Sequence, residues 1–157
     1  ERKEIVEHSK SLTQTEYVQF YSQCIDSLKS KLPREYAAPT PKSYYQISTG
    51  LSGVHFEWGF HGRPRSSLGV ELHFEKVTRE SNLKLFSACA ELKGRLEKEL
   101  DESLILQPDW GKIWARLLIE KQQGKINEEL KDWAVEKMHR LIQLLQPELD
   151  KIKRANN

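Results

Sequence analysis

From Tyr44 to Glu75, apolar and polar residues alternate with a period of two, and glycine-bearing turns interrupt the alternation twice. Val54, Phe56, Trp58 and Phe60 fall on one side of the second segment, with His55, Glu57 and His61 on the other. The third segment sets Leu68, Val70, Leu72 and Phe74 against Glu71, His73 and Glu75. This alternation marks strands with one buried and one wetted face. It predicts three antiparallel strands at about 43–49, 53–61 and 66–75. The turn Gly50-Leu51-Ser52-Gly53 suits positive φ angles, and Gly62-Arg63-Pro64-Arg65 presents two guanidinium groups at a hairpin tip.

On either side the period changes to that of a helix. Thr13 and Glu16 have capping-box spacing, with Leu12 and Tyr17 placed for a hydrophobic staple. Tyr17, Phe20, Cys24, Leu28 and Leu32 then form one apolar stripe, and Pro33 stops it. Leu85, Cys89, Leu92, Leu96 and Leu100 predict a single helix over 79–101. Leu104–Gln107 and Ile113–Glu120 read as a second hairpin around Pro108-Asp109-Trp110-Gly111. Asn127 caps a last helix, which Pro147 should kink or divide in two. The fold class is therefore α+β: a two-layer domain with helices on one face of an antiparallel sheet, in the order α-β-β-β-α-β-β-α. Residues 1–10 are charge-rich and read as a linker or frayed helix from an upstream region, leaving one domain over 11–154.

Composition narrows the class without naming a function. The 157 residues are enough for one core without staples. The 25 cationic and 23 anionic side chains leave a formal charge of +2, which neither demands nor excludes a nucleic-acid partner. Cys24 and Cys89 lie on apolar helix faces and read as reduced core thiols, which makes the cytoplasm the default compartment. No apolar run reaches membrane-span length, so no membrane partner is expected.

The candidate chemistry gathers on the wetted sheet face, at His55, Glu57, Glu71, His73 and Glu75. Same-face neighbours lie within about 7 Å, so His55, Glu57, Glu71 and His73 could hold a divalent metal. Strand register decides between two pictures. If Trp58 pairs with Val70, Glu57 faces Glu71 and His55 faces His73, which is unfavourable without a cation. A slip of two residues instead gives two ordinary pairs, Glu57 with His73 and His55 with Glu75. The acid followed by Glu-x-Lys or Asp-x-Lys that a PD-(D/E)XK nuclease needs is absent, because neither Glu71 nor Glu75 has Lys two residues later. No nucleophile elbow, phosphate loop or cofactor motif occurs, so no cofactor is expected. Cations for DNA contact would be Arg63, Arg65, Lys42 and Arg34, with Tyr44, Trp110 and Trp114 available to stack on bases.

The run Ser43-Tyr44-Tyr45-Gln46-Ile47-Ser48-Thr49-Gly50-Leu51-Ser52-Gly53-Val54-His55, followed by Leu68-Gly69-Val70-Glu71-Leu72, resembles a bacterial and archaeal domain family of unknown function. The similarity extends over about 15–150, to Trp133 and Pro147. Members commonly sit at the C-terminal end of proteins whose upstream part resembles a restriction-type or repair-type nuclease. Where Leu51 stands, that family often has a basic residue, so this turn is a weaker phosphate contact here. The resemblance implies a non-catalytic accessory domain of a restriction-like or defence nuclease. Its partners would be DNA, an upstream nuclease domain or a partner subunit. The alternatives are a metal-dependent hydrolase built on the His/Glu face and a structural protein–protein interaction module.

Overall fold

The computed structural model describes residues 13–62, 65–122 and 125–156. The linker expected at 1–10, Leu12 of the staple, and Arg63 and Pro64 of the hairpin tip lie outside the described residues. Helix α1 (Gln14–Lys31) is followed by β1 (Tyr44–Ser48), β2 (Val54–His61) and β3 (Ser67–Phe74). Then come α2 (Arg79–Ala90), α3 (Lys93–Leu100), β4 (Ile105–Trp110), β5 (Trp114–Gln122) and α4 (Glu128–Ala155). The five strands form one antiparallel sheet in the order β1-β2-β3-β5-β4. This is the expected α+β architecture and element order.

Local chemistry explains the ends of the elements. The capping box at Thr13 forms in full, the Thr13 hydroxyl accepting from the Glu16 amide and the Glu16 carboxylate from the Thr13 amide. Asn127 caps α4 by accepting from the Leu130 amide. Gly50 and Gly53 both have positive φ, at 84° and 75°, as the β1–β2 turn requires.

Two helix expectations are corrected. The apolar stripe from Leu85 to Leu100 does not run along one helix; it divides at Glu91 and Leu92 into α2 and α3. Leu92 starts the second piece without a side-chain cap, and the break lets Leu96 and Leu100 stay buried while Leu92 does not. Conversely, α4 runs unbroken for 28 residues through Pro147. Proline removes its own N–H and crowds the carbonyl one turn back, yet burial of Leu144, Leu145 and Leu149 on both sides keeps the helix from dividing there.

The helices cover one sheet face. Phe56, Trp58, Leu68, Val70, Leu72 and Phe74 meet Tyr21, Leu28, Met138, Leu141 and Leu145 in a single core. Trp58 anchors it: the ring is fully buried and its indole N–H donates to the Ala134 carbonyl of α4 at 2.9 Å. Cys24 and Cys89 are free and buried, and burial pushes the Cys89 thiol up to about 12. Among the described residues no helix is long and apolar enough to cross a membrane.

Candidate functional site: a buried His/Glu cluster beneath an aromatic groove

The register is the one that sets like against like. Trp58 pairs with Val70, so Glu57 lies opposite Glu71 and His55 opposite His73. Rows across the polar face can be read from the pairing. One row is Tyr44, Gly59, Gly69 and Glu120; the next is Gln46, Glu57, Glu71 and Leu118; the third is Ser48, His55, His73 and Arg116, with Gln107 beyond.

This face is not wetted as the alternation predicts. Every residue of β3 is buried, Glu71 and His73 completely. The reason lies in the distant β4–β5 hairpin. The Trp110 ring meets His73 edge-on at 4.6 Å, and the Arg116 guanidinium stacks over Trp110 at 4.4 Å. Together they roof the floor that β2 and β3 provide.

Glu71 is the hub. One carboxylate oxygen makes a very short contact with His61 Nε2; the other accepts from His73 Nε2 at 2.6 Å and from Arg116 at 3.2 Å. Arg116 is itself held by Gln107 at 2.5 Å. Room for the Glu71 carboxylate comes from Gly69: a Cβ there would lie 2.0 Å from Glu71 Oε2. A glycine inside a strand signals such a close approach. Burial alone would raise the Glu71 pKa, but the hydrogen bonds from His61 and His73 outweigh it and hold the carboxyl down at about 2. His73 mirrors this. Burial would lower its pKa, yet carboxylates on both ring nitrogens, Glu71 on Nε2 and Glu75 on Nδ1 at 2.9 Å, push it up to about 9.

His55 and Glu57 stand beside this hub, with His55 Nε2 at 3.2 Å from Glu57 Oε1 and Glu57 Oε2 at 3.5 Å from His73 Nε2. Ligand atoms of His55, Glu57 and His73 all lie within 4.8 Å of one another, so three of the four expected metal-ligating residues converge. The fourth, Glu71, is buried behind them and engaged by His61, His73 and Arg116. Among the described residues no buried side-chain nitrogen or oxygen lacks a partner.

Above the cluster opens a groove of about 420 Å³. Tyr44 and Gln46 of the edge strand β1 stand on one side, Trp110, Trp114 and Arg116 on the other, with Glu57, Gly59, His61 and Glu75 between them. A second hollow, of about 450 Å³, lies between the segment Arg34–Ala37 and β1 and contains no comparable cluster.

The structure separates the candidate DNA-contacting cations. Lys42 lies over the Tyr44 ring at 5.6 Å, at the same end of the sheet as the β2–β3 tip that carries Arg65. The Arg65 guanidinium donates to the Gly62 carbonyl of its own turn at 3.1 Å. Arg34 sits at the opposite end, donating to the Ser48 carbonyl at 3.1 Å. Sequence reasoning missed His61 as a partner of Glu71, and also Arg116, Gln107 and Gly69. The paired mid-strand glycines were the available signal, since nothing in a regular strand otherwise calls for them.

A family model described as "Domain of unknown function (DUF4268)" matches residues 16–150, most of the chain. The chain belongs to this family. The matched stretch contains every residue of the cluster and of the groove. No curated protein and no solved structure matches the chain.

Proposed function

We propose that this DUF4268 domain is a non-catalytic recognition module, the accessory domain of a restriction-like or defence nuclease, and that it contacts unpaired bases of DNA in the polar groove. The observation that carries the reading is the exposure of aromatic rings. Large hydrophobic side chains exposed among the described residues are Tyr44, Trp114 and Val77, and the two aromatic ones stand on opposite sides of one groove. Exposed aromatics beside cations are what single-stranded nucleic-acid sites use, each stacked base contributing about 1–3 kcal/mol. Gln46 on one wall and Glu57 on the floor offer acceptors to base amino groups, while an acidic floor turns phosphates away. The strand's backbone would then run along the rim, where Lys42 and Arg65 lie at one end.

The commitment of Glu71 to three partners favours a scaffolding role for it over general acid–base work. The nuclease context rests on the resemblance of the Ser43–His55 and Leu68–Leu72 motifs alone. Fluorescence anisotropy with a labelled single strand and its duplex, at several salt concentrations, tests the proposal. The single strand binds more tightly, and Tyr44→Ala or Trp114→Ala weakens it by about 1–3 kcal/mol each. Lys42→Ala with Arg65→Ala flattens the salt dependence, by about 0.7 in slope per lost contact to single-stranded phosphate. Equal affinity for both forms, untouched by removal of either aromatic ring, would refute the reading.

A further inference from the structure

We propose that His55, Glu57 and His73 form a binding site for a divalent transition-metal ion of the zinc class, set in the floor of the groove. Three observations lead there. Zinc bonds of about 2.0–2.1 Å in tetrahedral geometry place neighbouring ligand atoms roughly 3.3 Å apart. The two contacts that join the triad are close to that and use both carboxylate oxygens, at 3.2 Å between His55 Nε2 and Glu57 Oε1 and 3.5 Å between Glu57 Oε2 and His73 Nε2, and one ligand atom from each residue lies within 4.8 Å of the others. The ligand chemistry, two imidazoles and one carboxylate, suits zinc and its first-row neighbours better than magnesium or calcium.

The second observation is the outer shell. His73 Nδ1 faces the Glu75 carboxylate at 2.9 Å. An Nδ1–H donated to that carboxylate lets Nε2 ligate once the ion replaces the proton that Nε2 shares with Glu71 at 2.6 Å, giving the carboxylate–histidine–metal arrangement that orients ligating histidines. The third is charge. Glu57, Glu71 and Glu75 crowd the two facing imidazoles, and Arg116 reaches only Glu71. Placing His opposite His and Glu opposite Glu destabilises a strand pair, and a cation between them reverses the sign. Glu57 and Glu75 also line the groove, so an ion can enter from it.

The site shares Glu57 with the nucleic-acid reading, but its test uses metal alone, so the two can fail separately. The untagged chain, stripped with chelator, is titrated with Zn²⁺ by calorimetry and with Co²⁺ by visible absorption. One equivalent of Zn²⁺ binds, and Co²⁺ develops the intense d–d bands of a four-coordinate ion. His55→Ala abolishes the bands. Glu75→Gln keeps one equivalent but weakens binding about 10–100-fold, as loss of an outer-shell partner does. Circular dichroism checks that both variants fold. Absence of saturable binding, or binding unchanged in both folded variants, would overturn the assignment.

Discussion

Gly69→Ala tests whether Glu71 is held as the structure shows. The backbone at Gly69 is not in the left-handed region, so alanine fits the chain and the only obstacle is the space above it. That space is occupied: the new Cβ would lie 2.0 Å from Glu71 Oε2, 2.9 Å from its Cδ and 3.0 Å from His61 Nε2. Ordinary contact begins near 3.4 Å, so the carboxylate must retreat by more than an ångström. Such a move breaks the short contact with His61 and disturbs the bonds to His73 at 2.6 Å and Arg116 at 3.2 Å. A hydrogen bond to a charged group contributes about 1.5–3 kcal/mol, and a buried charge stripped of partners costs about 3–5 kcal/mol. Replacing a strand glycine returns roughly 0.5 kcal/mol. The net loss is about 3 kcal/mol, or roughly 10 °C in Tm for a domain of this size. Urea unfolding followed by tryptophan fluorescence measures it. In a Glu71→Ala background the same substitution meets no carboxylate and costs little, giving a coupling energy of about 2–3 kcal/mol. Gly94→Ala is the control: nothing lies within 4 Å, and the change leaves stability within about 0.5 kcal/mol or raises it slightly. A Gly69→Ala variant as stable as the parent would refute the packing of Glu71 over Gly69.

In metal-free protein, stability follows pH in two opposite senses. The His73 pKa is raised, so its contribution is complete below about 6.5 and is lost as pH rises through about 9. Glu71 is depressed, so its contribution is present above about 4.5 and is lost as pH falls towards about 2. Thermal melts across this range should show the alkaline decline disappearing in His73→Gln. Trp58→Phe removes the bond to the Ala134 carbonyl and part of a fully buried ring, and should cost about 2 kcal/mol in urea unfolding. Thr13→Ala dismantles the capping box of α1 and should cost about 1 kcal/mol in the same assay.

What could be read from the residues was what local periodicity controls. Alternation placed β1, β2 and β3 within a residue or two, and Thr13 and Asn127 announced their helices because capping is chemistry between near neighbours. Register was not legible, since a slip of two residues keeps every side chain on its face and leaves the alternation unchanged. Burial of the polar face escaped for a different reason. Arg116 meets Glu71 across 45 positions of sequence, and Trp110 reaches His73 from the far edge strand, so only the assembled sheet brings the roof to the floor. The division expected at Pro147 did not occur, because a propensity defined in isolated helices met a helix packed along its length.

On the proposed function, the groove between Tyr44 and Trp114 is where this domain meets its ligand. Amide and indole NMR spectra of the labelled chain, recorded while a short unpaired DNA strand is added, test it most directly. Shifts should concentrate at Tyr44, Gln46, His61 and the indole N–H groups of Trp110 and Trp114, with Trp58 and Trp133 unmoved. Shifts confined to the cations Lys84 of α2 and Arg95 and Lys98 of α3, or no shifts with any strand at low salt, would contradict it.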